Sequence, residues 1–253
     1  MDTKRARRSD LVLDIGNTRV KWALYEDHGL VTHGLKDLAL ANALLDELPM
    51  DDVRHVVVGS TAHPDPDLVE RCRSYAPVLE ITGGSEAPVR SRYGTLSTLG
   101  ADRLANVVAA FRRFPGRATL AIDLGTCVTY DLCSAEGEHL GGAISPGLLM
   151  RARAMHAYSA RLPLITPAEA PEVLGRTTQQ CLEAGVHHGL LGEVEGFIRR
   201  YRTELPDLVV LLTGGDALRV VRGNESGIFA LPLLTLDGYH ELLAYHRSHH
   251  PAV

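Results

Sequence analysis

The chain has 253 residues, 45% of them hydrophobic and 23% charged, and a formal net charge of −5. That is ordinary globular composition, enough for one large domain or two of about 120 residues without disulfide staples. The acidic balance argues against a nucleic-acid surface, and no stretch approaches the roughly 20 apolar residues of a membrane span.

The basic cluster Lys4-Arg5-Ala6-Arg7-Arg8 reads as a solvated tail, because Asp14 interrupts the next apolar run too early for a signal peptide. Strand-like runs at 11–14 and 20–25 precede a helical stretch at 38–48. A strand at 54–59, a helix at 66–75 and a strand at 78–81 follow, an α/β order. Leu104, Val107, Val108 and Phe111 recur at helical spacing over 102–113. Pro115-Gly116 breaks that helix and predicts a domain boundary, giving domains 1–115 and 116–253. The second half restarts with strands 118–123 and 127–132 and a turn at Gly141-Gly142. A helix over 148–160 ends before Pro163, and a long helix covers 177–202. Strand 207–213 ends in Gly214-Gly215.

Cys72, Cys127, Cys133 and Cys181 form no CxxC pair and read as reduced cytosolic thiols, with Cys127 an inert side chain in a buried strand. Twelve histidines, among them His187-His188 and the group His240, His246, His249 and His250, lack partners at metal-ligand spacing and read as surface residues, not a zinc site. Gly185, Gly189, Gly192 and Gly196 lie on one stripe of the long helix. Each costs about 0.5–1 kcal/mol relative to alanine, so the stripe predicts close contact with another helix, in the same chain or across a dimer.

The chemistry concentrates where strands end on carboxylates. Residues 11–24, LVLDIGNTRVKWAL, run from an apolar strand into Asp14-Ile15-Gly16-Asn17-Thr18. Residues 120–132, LAIDLGTCVTYDL, repeat the pattern with Asp123-Leu124-Gly125-Thr126. Glycine lets backbone approach a phosphate oxygen, and N–H groups and threonine hydroxyls donate to it. A carboxylate there needs a cation between itself and phosphate, and Mg2+ prefers oxygen ligands. Lys21 adds a point charge. Two such hairpins would clamp a triphosphate, and Gly214-Gly215 suits close approach of an adenosine. Neither GxxxxGK[ST] nor GxGxxG is present.

These hairpins, followed by Thr-Gly-Gly at 213–215, resemble the acetate kinase/sugar kinase/Hsp70/actin superfamily. DIGNTRVKWAL (14–24), LGADR (99–103), AIDLGTCVTYD (121–131), GGAISPG (141–147), ARLP (160–163), GRTT (175–178) and LLTGGDA (211–217) together resemble the type III pantothenate kinases, also called the Bvg accessory factor family. The resemblance implies two actin-like, ribonuclease H-like domains with a nucleotide cleft between them. It implies ATP-dependent phosphorylation of pantothenate to 4′-phosphopantothenate, the first step of coenzyme A synthesis, by a cytoplasmic homodimer. It implies that Asp14, Ile15, Gly16, Asn17, Thr18, Arg19, Val20 and Lys21 form the first phosphate loop, Asp14 organising Mg2+. Thr126 would be the second phosphate contact and Asp123 the site of K+ or NH4+. Tyr93, Gly100, Ala101, Asp102, Arg103 and Thr178 would bind substrate, with Asp102 as base and Arg103 on the pantothenate carboxylate.

Departures from the family pattern are Leu96 for proline, Cys127 for alanine, and Thr177 for asparagine or aspartate. Asp102 also reads as the N-cap of helix 102–113. The rivals are another small-molecule kinase, a nucleotide-binding regulatory protein without turnover, opposed by Asp102 and Arg103, and a filament former, opposed by the short chain.

Overall fold

The computed structural model describes residues 8–60, 66–220 and 226–250, so Lys4 to Arg7 lie outside the described residues. The first elements are β1 (Ser9–Ile15), β2 (Arg19–Glu26), β3 (Gly29–Asp37), α1 (Ala41–Glu47), β4 (Val53–Ser60), α2 (Pro66–Tyr75), β5 (Val78–Ile81), a short β6 (Arg90–Ser91) and α3 (Ala101–Arg113). They are followed by β7 (Thr119–Leu124), β8 (Cys127–Cys133), β9 (Glu138–Pro146), α4 (Leu148–Ala157), α5 (Thr178–Glu204), β10 (Val209–Thr213), α6 (Ala217–Val220), β11 (Ile228–Ala230) and α7 (Leu234–His249).

The chain divides into two compact units, residues 1–112 with 234–253, and residues 113–233. In the first, the sheet order is β3-β2-β1-β4-β5, with β2 antiparallel to β1 and β3, and β4 parallel to β1 and β5. β1 reads as a continuous apolar run because both its faces are covered. Leu11, Leu13 and Ile15 pack with Leu44 and Leu45 of α1 and Leu68, Val69 and Cys72 of α2. In the second unit, the strands run β9-β8-β7-β10-β11 with the same pattern of directions. Leu120, Ile122 and Leu124 of β7 pack with Val186, Leu190, Val194 and Ile198 of α5 and with Leu148 and Ala152 of α4. The two units therefore repeat one topology, the relation that the paired Asp-x-Gly hairpins suggest.

Several expectations change. Gly141-Gly142 do not turn the chain but lie inside β9. A Cβ on Gly142 would sit 1.5 Å from the Tyr130 carbonyl oxygen, so the glycine marks a close approach of two strands. The turn comes earlier, at 134–137. Strand β3 is unannounced because it is mostly exposed and lacks clean alternation. Helix α4 stops at Ala157, and a 3-10 turn at Leu38–Leu40 precedes α1. A single boundary at 115/116 is corrected too. The chain enters the second unit at Arg113, but 234–253 return to the first. The cause is α7, which no sequence reading above assigns. It buries Leu234, Leu236, Tyr239, Leu242 and Leu243 and packs on β1, β2 and β4. Among the described residues, no helix is long and apolar enough to cross a membrane.

Candidate active site

The first hairpin forms because β1 and β2 pair from Asp10↔Tyr25 to Ile15↔Val20, leaving Gly16-Asn17-Thr18 as the connection. Gly16 N–H donates to the Arg19 carbonyl (2.9 Å), and Leu38 N–H donates to the Thr18 carbonyl (2.9 Å), which fixes the loop from both sides. Asn17, Thr18 and Arg19 are exposed, whereas Asp14, Ile15 and Val20 are buried. Asp14 pairs with Lys21 across the ladder, and Lys21 Nζ lies 3.6 Å from its Oδ2. The lysine thus faces the carboxylate of its own hairpin.

The 99–103 segment gathers a second group in the same unit. Leu99 is buried, and Gly100 leads into α3. The helix begins at Ala101, so Asp102 stands inside its first turn and is not the N-cap. Its Oδ1 accepts a bond from Arg103 N–H (2.8 Å), one of the donors a helix start leaves without an internal partner. Arg103 is 4% exposed. Its Nη1 donates to the Tyr93 hydroxyl (3.3 Å), and its Cζ lies 5.2 Å from the Tyr93 ring centroid. Tyr93 therefore orients a buried guanidinium through a hydrogen bond and a cation–π contact. The structure brings Tyr93, Asp102 and Arg103 together.

In the second unit, β7 and β8 pair as far as Leu124↔Val128, and Gly125 N–H closes the turn on the Cys127 carbonyl (3.0 Å). Thr126 is exposed at the tip. Cys127 opens β8 half-buried, a correction to its placement inside a buried strand. The glycines after β10 serve this turn. Gly214 has φ +90°, and a Cβ there would lie 2.4 Å from Asp123 Oδ1 and 2.5 Å from the Leu124 carbonyl oxygen. Asp216 N–H donates to that same carbonyl (3.0 Å). Asp123 and Gly214, 91 positions apart in the numbering, thus form one site that spacing does not reveal. Burial raises the Asp216 pKa, and Arg219 beside it opposes that shift. Thr178 is the first residue of α5 and exposed, and Thr177 caps the helix by accepting from Gln180 N–H (3.2 Å). Threonine is a good N-cap, which explains how it serves where the family pattern has asparagine or aspartate.

Among the described residues, no three His, Cys, Asp or Glu side chains converge as a metal cage. The single carboxylate beside the first turn, Asp14, fits Mg2+, which keeps several waters and is completed by substrate phosphates. The Asp123 carboxylate and the Leu124 carbonyl oxygen both crowd Gly214, and that carbonyl already accepts from Asp216 N–H.

The type III pantothenate kinase family model matches residues 10–200. A type III pantothenate kinase of Christiangramia forsetii is 34% identical over 241 residues, 94% of this chain and 99% of the relative. The chain belongs to the type III pantothenate kinase family. Another member, from Porphyromonas gingivalis, is 37% identical over 93% of this chain and 98% of its own. Among solved structures, a Baf family protein of Campylobacter jejuni superposes with a TM-score of 0.61 at 16% identity, over 94% of this chain and 99% of that one. A ROK family glucokinase of Streptomyces griseus gives 0.52 at 12% identity, over 92% and 98%. These likenesses show the actin-like kinase fold. The family match ends at residue 200, so it includes both turns and the 99–103 segment but neither Gly214 nor α7.

Proposed function

We propose that the chain transfers the γ-phosphoryl group of ATP to the 4′-hydroxyl of pantothenate, with Asp102 as base. The observation that carries this reading is the Tyr93–Arg103–Asp102 group. A buried, oriented guanidinium suits the planar carboxylate of pantothenate, and a half-exposed carboxylate stands next to it on the helix. The pantothenate hydroxyl oxygen bonds to the γ-phosphorus as the bond to the ADP oxygen breaks, and the hydroxyl proton passes to Asp102. Such transfer is mostly positioning and charge stabilisation, so the base acts late and mainly orients the hydroxyl. Gly16 to Thr18 and Lys21 hold phosphate oxygens at one turn, and Gly125 and Thr126 at the other. Asp14 would hold Mg2+, which neutralises charge on the phosphates when bound. Asp123 would hold K+ or NH4+.

The same reading makes the chain a cytoplasmic homodimer. Its support is a glycine stripe that no other element touches among the described residues. A Cβ on Gly185, Gly189, Gly192 or Gly196 would find no atom within 4 Å. Val173 and Leu174 are about three-quarters exposed, and their segment is tied to α5 by His188 on the Pro171 carbonyl (3.0 Å).

A coupled ADP-release assay with and without pantothenate tests the activity. ADP release that pantothenate does not accelerate would refute it. Turnover in sodium buffer should rise on adding K+ or NH4+, and Asp123→Ala should flatten that response. Full wild-type activity in sodium alone would refute the cation assignment.

A further inference from the structure

We propose that Glu193 is a positioning residue for the Gly125–Thr126 turn, acting through Arg151 and Ser145. The proposal rests on the reading that this turn holds ATP phosphate. Glu193 lies on α5, and its carboxylate takes donors from three other elements. Tyr130 of β8 (2.8 Å) and Ser145 of β9 (2.5 Å) donate to Oε1, and Arg151 of α4 donates to Oε2 (2.5 Å). Burial alone would raise the pKa of this group, but the donors from Ser145, Arg151 and Tyr130 outweigh it and hold the carboxyl below its ordinary value.

Two of these donors belong to the corner where β9 becomes α4. Arg151 also gives its Nε–H to the Pro146 carbonyl (2.8 Å). Pro146 pairs with Cys127 at the end of the ladder, so this bond ties Arg151 to the residue where β9 leaves the sheet. Gly147 comes next and touches the turn itself. Its N–H donates to the Thr126 carbonyl (3.0 Å), and a Cβ on it would sit 2.1 Å from the Gly125 carbonyl oxygen. The corner is therefore the floor beneath the turn, and Glu193 holds the corner by two of its donors. The third donor, Tyr130, ties Glu193 to the sheet interior, where its ring packs on Phe197 (4.3 Å between centroids). The Tyr130 bond leads away from the turn, and the Ser145 and Arg151 bonds lead to it. That asymmetry separates positioning from simple support.

The test measures kcat, the KM of ATP and of pantothenate, and melting temperature in the full chain. Glu193→Gln and Arg151→Met should each raise the ATP KM by about tenfold, as small misplacements of contact groups do, with pantothenate KM unchanged. The double variant should match the single ones, because the two side chains act as one unit. Tyr130→Phe should lower the melting temperature and leave the ATP KM as it was. Equal thermal losses in Glu193→Gln and Tyr130→Phe, with ATP KM unchanged in both, would overturn the proposal. If Glu193→Gln does not fold, Ser145→Ala, which deletes one hydroxyl, carries the same expectation and the same refutation. Thr126→Ala separates the two readings. An ATP KM raised by Thr126→Ala but not by the Glu193, Arg151 and Ser145 variants removes the positioning role alone. An ATP KM unmoved by Thr126→Ala removes the phosphate turn and this proposal with it.

Discussion

Asp102 does not cap its helix from outside; it sits in the first turn and accepts from Arg103 N–H. Asparagine keeps that acceptor and removes the charge. Asp102→Asn should therefore lower kcat by about 100-fold or more, the range for loss of a general base, with the melting temperature little changed. A variant keeping more than about a third of wild-type kcat would exclude Asp102 as base. A second acid, Asp10, is wholly structural. It is 1% exposed and takes hydrogen bonds from Arg54 (2.9 and 3.0 Å), with His55 at 3.0 Å and His240 and Arg247 each at 3.4 Å. Burial raises its pKa, but the bonds to His240, Arg54 and His55 outweigh that and hold it well below the carboxylate range. A depressed folded pKa contributes stability above the unfolded value of about 4, and that contribution is lost as pH falls toward the folded one. Asp10→Asn, by stranding its cations, should cost about 3 kcal/mol at pH 7. Chemical denaturation should show the gap from wild type narrowing below pH of about 4. A gap constant with pH would show that packing, not charge, is what the variant loses.

At the scale of elements, α7 joins the strand that carries Asp14 to the helix that carries Asp102. Tyr239 lies across Gly59, where a Cβ would come within 1.9 Å of its ring, and Gly59 is the ladder partner of Asp14. Thr235 donates to Asn106 of α3 (2.9 Å) in a fully buried bond. Gly238 meets α3 backbone directly, and a Cβ there would sit 2.0 Å from the Ala105 carbonyl oxygen. Backbone cannot yield as a flexible side chain does, so Gly238→Ala should cost about 1–3 kcal/mol as overpacking, despite the better helix propensity of alanine. That should appear as a melting temperature lower by several degrees. A variant as stable as wild type would mean that α7 can shift off α3 at no cost.

At the scale of the molecule, the glycine stripe of α5 makes the opposite prediction. Among the described residues, nothing outside the helix's own backbone lies within 4 Å of where side chains would start. In a monomer, Gly189→Leu should stabilise the exposed helix, since leucine is much the better helix former. In a dimer packed through the stripe it should weaken association. Light scattering at micromolar concentration should give a dimer for wild type and a smaller species for Gly189→Leu. A wild-type monomer would refute the dimer, and a mutant that stays dimeric would free the stripe of any role in it.

Local chemistry was legible in the residues themselves. Asp14-Ile15-Gly16-Asn17-Thr18 and Asp123-Leu124-Gly125-Thr126 announce two strand-ending turns, and the periodicity of Leu104, Val107 and Val108 announces α3, because turn conformation and amphipathic burial depend on near neighbours. The motif order also carried the family, which the match over residues 10–200 shows. Helix α7, which the sequence reading leaves unassigned, is set by what Leu236, Tyr239 and Leu242 bury against, and nothing in their spacing says which sheet that is. Only the tertiary structure decided that α7 returns to the first unit, that Gly214 makes room for Asp123, and that Arg151 meets Glu193. Each of these pairings joins residues tens to hundreds of positions apart. A long loop costs little more to close than a short one, so chain separation does not select the partners. Shape and burial do, by making the two groups meet where water no longer can.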